Sequence, residues 1–119
     1  LRLINLHCYA VEESEFDDVY LCYNGVKIWP TDRKHHPVRE HTTTDLEIDL
    51  NPVEAGQKII IELWDFDLFS PNDLYGTFEL IADPGGPYST DLSLNHKETK
   101  KARYVLEWEV YTYRKATSL

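Results

Sequence analysis

The chain has 119 residues, 42% hydrophobic and 28% charged, a balance that fits one folded domain and argues against a disordered segment. Its longest apolar runs are a few residues, too short for a bilayer-spanning helix. Twenty-one acidic against twelve basic residues leave a formal charge of −9, which disfavours nucleic acid, because phosphate binding needs a cationic face.

A chain of this size buries roughly two-thirds of the surface it exposes when unfolded, enough for one core without metal or disulfide staples. It starts at Leu1, with no basic and apolar leader, and so reads as a mature or excised domain. Leu1 to Ala10 and Val19 to Tyr23 read as the first strands. Cys8 and Cys22, on neighbouring strands, are too few for a disulfide framework and read as free thiols, in keeping with a reducing compartment. Asn24-Gly25 is a hairpin turn, since both residues tolerate positive φ, and it leads into Val26 to Trp29.

From Asp45 to Leu50 acids alternate with Leu46, Ile48 and Leu50, the two-residue period of a half-buried strand. Lys58 to Trp64 carries three consecutive isoleucines and reads as a central strand covered on both faces. Thr77 to Leu80 turns Phe78 and Leu80 inward, and Tyr104 to Val110 does the same with Tyr104, Leu106, Trp108 and Val110. Breakers separate these runs: Pro30, Pro37, Asn51-Pro52, Gly56, Ser70-Pro71-Asn72 and Asp83-Pro84-Gly85-Gly86-Pro87. Short strands at this spacing, without a helical period or internal repeat, predict an all-β antiparallel sandwich or barrel. It forms one domain over residues 1–119, with 113–119 as a fraying tail or linker.

The segment that carries chemistry runs from Trp64 to Gly76. Calcium takes six to eight oxygen ligands, carboxylates prominent among them. Asp65 and Asp67 lie two apart on extended chain, so both side chains leave on one side. A Ser-Pro-Asn turn can bring Asp73 back towards them, and Ser70 adds a hydroxyl. An EF-hand is excluded, because Phe69, Ser70 and Gly76 stand where that loop needs a third ligand, a glycine and a bidentate glutamate. The remaining alternative is an acidic turn that holds no ion.

The run Trp-Asp-Phe-Asp-x-Phe-Ser-x-Asn-Asp-x-x-Gly resembles the third calcium loop of C2 domains. That resemblance implies Asp65, Asp67 and Asp73 as carboxylate ligands, Ser70 as an auxiliary one and Gly76 as structural. Asp18-Val19-Tyr20 is similar to the Asp-x-Tyr that ends the family's first loop, which implies Asp18 as a further ligand, with Asp17 beside it. The family's earlier aspartate is replaced here by Glu12, Glu13 and Ser14; a glutamate reaches farther, and Glu12 joins the candidate ligands. Leu1 to Ala10 leads straight into the first loop while a strong strand closes the chain, as in the permuted, type II topology. The fold implied is an eight-stranded antiparallel Greek-key β-sandwich.

Around these acids, Leu68 and Phe69 fall at the tip of the third loop and Phe16 in the first. The resemblance implies that such side chains enter the lipid interface, where each yields about 1.5–3 kcal/mol on burial; the alternative is local packing. Asp32-Arg33-Lys34-His35-His36, with Arg39 following, would form the second loop, and Arg33 and Lys34 are candidate contacts for anionic headgroups. Zinc is disfavoured, since no Cys or third His stands at ligand spacing. No nucleophile elbow, phosphate loop or zincin pattern is present, which disfavours an enzyme. The expectation is a calcium-binding module that docks reversibly on anionic phospholipid membranes, as a monomer or as part of a multidomain chain. The alternative is a protein- or carbohydrate-binding sandwich in which calcium only stiffens the loops.

Overall fold

The computed structural model describes residues 1–50, 53–97 and 99–111; the tail expected at 113–119 and the Asn51-Pro52 breaker lie outside them. The described residues form ten strands and no helix: β1 (Arg2–Ala10), β2 (Asp17–Tyr23), β3 (Val26–Trp29), β4 (His36–Val38), β5 (Thr42–Asp49), β6 (Lys58–Asp65), β7 (Asp73–Ile81), β8 (Gly85–Asp91), β9 (Ser93–Leu94) and β10 (Arg103–Val110). Eight strands were expected. The two beyond that number include very short pieces, β4 with three residues and β9 with two.

The strands make two antiparallel sheets. One has the order β5-β1-β10-β8; the other runs β3-β2-β6-β7-β9, with β4 also on β2. Alternation puts one face of each into a shared core. Leu3, Leu6, Tyr104 and Leu106 come from the first sheet, and Val19, Leu21, Ile59, Ile61, Leu63, Phe78 and Leu80 from the second. The layers are therefore sandwich-like, each burying a single apolar face.

Two sequence expectations are corrected. β6 is central, but only alternate residues are buried: Ile60 points outward at 42% exposure, so the isoleucine run is covered on one face. β8 starts inside the Pro-Gly segment taken for a breaker. It lies at a sheet edge with a register shift opposite Glu109, and proline is tolerated at edges and bulges. In β1 the inward residues are Leu3, Leu6 and Cys8, because a bulge breaks the period where Glu47 adopts φ 55° on β5. The Asn24-Gly25 hairpin forms as read, both residues at positive φ.

Candidate functional site

Strand register decides which acids meet. Val19 pairs with Asp65 and Asp65 with Asp73, so β2, β6 and β7 bring Asp18, Asp65 and Asp73 to one end of the sheet. The first loop (11–16), the 30–35 loop and the 66–72 loop open at or beside this end. The Asp18 N–H donates to Asp65 Oδ1 at 3.2 Å, and the Phe66 N–H to the Asp18 carbonyl at 2.7 Å. A groove of about 260 Å³ is lined here by Glu13, Asp18, Asp65 and Asp67, between Phe16, Phe66 and the loop tip.

The 66–72 loop holds its own shape. Asn72 Oδ1 accepts from the Asp67 N–H at 2.9 Å, and its Nδ2 donates to the Tyr20 hydroxyl at 2.9 Å. Hydrogen bonds from the Ser70 hydroxyl and the Phe69 N–H hold the Asp67 carboxyl below its usual pKa range. Ser70 is exposed and faces Asp67. At the tip Leu68 is 74% and Phe69 93% exposed. Phe16 is half-buried, and Arg39 lies over its ring at 5.6 Å. Gly76 sits within β7 rather than at its start, and a Cβ at this position would run into the Ser93 carbonyl.

Asp65 is 5% exposed and faces few donors. Burial first, then the nearby charges of Asp17, Glu13 and Asp73, push its pKa up to about 7, against the relief from the Asp18 N–H. His35 Nδ1 lies 3.1 Å from Asp18 Oδ1, and its ring stacks on Phe66 at 4.4 Å. Arg33 is exposed, 3.8 Å from Asp32 and in contact with His36; Lys34 is exposed as well.

Two of the sequence candidates have their oxygens engaged elsewhere. Asp17 is 0% exposed. It accepts from the N–H groups of Glu12 (3.0 Å) and Glu13 (3.0 Å), the Tyr75 hydroxyl (2.9 Å) and the Tyr104 hydroxyl (2.6 Å). Burial and the adjacent Asp17 raise both phenols far above their usual range, so they stay donors. Glu12 Oε1 accepts the N–H groups of Lys100 (2.8 Å), Lys101 (2.7 Å) and Ala102 (3.1 Å), which outweigh burial and hold its pKa low. Glu13, not Glu12, lines the groove. Parity foretells Asp17: it shares the face of the inward Val19 and Leu21, whereas Asp18 shares that of Tyr20. Nothing local foretells Glu12.

An all-oxygen lining is of the kind that suits a hard cation, and the Asp65 carboxyl within it has carboxylates as its nearest charges. The fit is one of chemistry and not of a closed shell. Among the described residues no three His, Cys, Asp or Glu side chains stand close enough to form a metal-binding group. Compared with known proteins, the chain matches no protein-family model, and no match is found among curated proteins.

Proposed function

We propose that this chain is a C2-type, Greek-key sandwich of permuted topology that binds calcium between its first and third loops and docks on anionic phospholipid. The observation that carries the reading is the sheet end itself. Strand register brings Asp18, Asp65 and Asp73 to it, Asp67 lines the groove beside Asp18 and Asp65, and the exposed Leu68 and Phe69 project from the loop tip. The antiparallel pairing of the last strand β10 with β1 supports the permuted order. In this reading Asp18, Asp65, Asp67 and Asp73 hold the ion, with Glu13 in the place expected of Glu12. Ser70 orients Asp67. Calcium would neutralise carboxylates that otherwise repel an anionic surface, and the two tip side chains would then enter the interface.

Calcium titration calorimetry on wild type and Asp67→Asn, followed by vesicle sedimentation with and without chelator, tests this. Calcium binding that the variant loses, together with chelator-sensitive sedimentation, is expected. Absence of calcium binding by the wild type would overturn the reading. A second reading, a protein- or carbohydrate-binding sandwich with structural calcium, is favoured by an outer-face pocket of about 370 Å³ lined by Tyr20, Phe66, Asn72, Lys27 and Lys34. Calcium binding without vesicle binding would select it.

A further inference from the structure

We infer that the segment joining β9 to β10, residues 95–102, is a second basic contact surface for an anionic phospholipid membrane. The inference rests on the docking reading above but adds a surface that the acidic loops do not provide. Between residues 95 and 103 the chain places Lys97, Lys100, Lys101 and Arg103 against one acid, in a protein whose net charge is −9.

Topology delivers these cations to the docking end. β9 lies on the far side of β7 from β6, and β10 begins with Arg103 opposite Ala10, where the first loop starts. The segment therefore crosses from one sheet to the other beside the first loop. With Arg33 and Lys34 on the β2 side, the acidic groove has cations on both flanks.

The segment is built rather than loose. Asn95 donates its N–H to the Tyr75 carbonyl (2.8 Å) and its Nδ2 to the Leu74 carbonyl (3.0 Å). Thr99 is fully buried, with its N–H on the Asn95 carbonyl at 2.9 Å. Glu12 collects three successive backbone N–H groups. All these ties run through backbone or buried groups, while the Lys97, Lys100 and Lys101 side chains are exposed. The lysines are presented on a fixed frame, and among the described residues none of their ammonium groups is held in an ion pair, although the charge of Lys101 helps keep the Glu12 carboxyl ionised. Arg103 differs, because it lies over the Tyr9 ring at 5.6 Å.

A lysine near an anionic membrane surface is worth about fivefold in binding. The triple variant Lys97→Gln, Lys100→Gln, Lys101→Gln should therefore sediment roughly 10- to 100-fold more weakly with phosphatidylserine–phosphatidylcholine vesicles. Its calcium affinity without vesicles and its melting temperature should stay those of the wild type. The single variants Lys97→Gln and Lys101→Gln, each expected near fivefold, carry the same test at lower risk to the fold. Equal sedimentation of triple variant and wild type overturns the inference, and so does a wild type that binds calcium but no anionic vesicle. Lysine-dependent sedimentation by a wild type that binds no calcium upholds this surface and sinks the calcium reading instead.

Discussion

Asp17 and Asp65 are the same residue type at one end of one sheet, on adjacent strands, and both are almost completely buried. Their surroundings are opposite. Asp17 is met by four donors that tie the first loop, β7 and β10 together across both sheets. Asp65 is met mainly by other carboxylates, with one backbone N–H in relief. A buried charge is tolerated when its hydrogen bonds are complete and is costly when they are not. One aspartate is thus part of the scaffold, and the other is the carboxylate at which we propose that a cation binds.

The largest effect expected from breaking this contrast is at Asp17. Asp17→Ala leaves two phenols and two N–H groups without their acceptor, a loss on the order of 4 kcal/mol in urea unfolding without calcium. Tyr104→Phe, which removes one of the four donors, should cost about 1–2 kcal/mol. An Asp17 variant that keeps its apo stability would erase the distinction between the two residues.

Asp65 should respond with the opposite sign. Its folded pKa of about 7 lies above the ordinary 3.8, so the folded state keeps a proton that the unfolded chain has released. Stability without calcium should therefore fall as pH rises from about 4 to about 7 and level off above. Asp65→Asn should raise the melting temperature at pH 8 in chelator and flatten that pH profile. With calcium at about 100 times its Kd, the wild type should gain about 2.7 kcal/mol and the variant little of it. A variant less stable than wild type in chelator at pH 8 would contradict the account of Asp65.

Glu12→Gln sharpens the same contrast at smaller scale. Its three acceptor bonds are charge-assisted, and the change should cost about 1 kcal/mol. Because the folded pKa is lowered, the Glu12 contribution is present above the unfolded value and disappears as pH falls through the folded one. Calcium affinity should barely move, since Glu13 and not Glu12 lines the groove; a large loss would restore Glu12 as a ligand. Smallest of all, Leu68→Ala with Phe69→Ala should leave stability within about 0.5 kcal/mol of wild type. That near-silence in unfolding would mark the tip as unused by the fold, whereas a clear destabilisation would mean that it packs.

The strands were legible wherever a two-residue period was unbroken, as in β10 with Tyr104, Leu106 and Trp108. Legibility failed where geometry overrides pattern. At β8, proline and glycine read as a breaker, yet an edge with a register shift absorbs them. At β6, three isoleucines read as two covered faces, yet Ile60 lies on the outward face of the sheet, opposite the core that takes Ile59 and Ile61. Around the 66–72 loop the sequence shows how close the candidate oxygens stand along the chain, Asp65, Asp67, Ser70 and Asp73 lying within nine residues of one another.

The amino-acid sequence by itself determined the all-β class, the Asn24-Gly25 turn and the concentration of acids next to an apolar loop tip. These depend on side-chain alternation and on backbone preferences of adjacent residues, which are local. Only the tertiary structure decided what each acid does. Glu12 meets Lys100, Lys101 and Ala102 across about 90 positions of chain, and Asp17 meets Tyr104 across 87. Such donors are supplied by strand register and sheet packing. A carboxylate's role depends on how many donors surround it, so the same letter in the sequence became a structural anchor at Asp17 and a poorly compensated, proton-retaining carboxyl at Asp65.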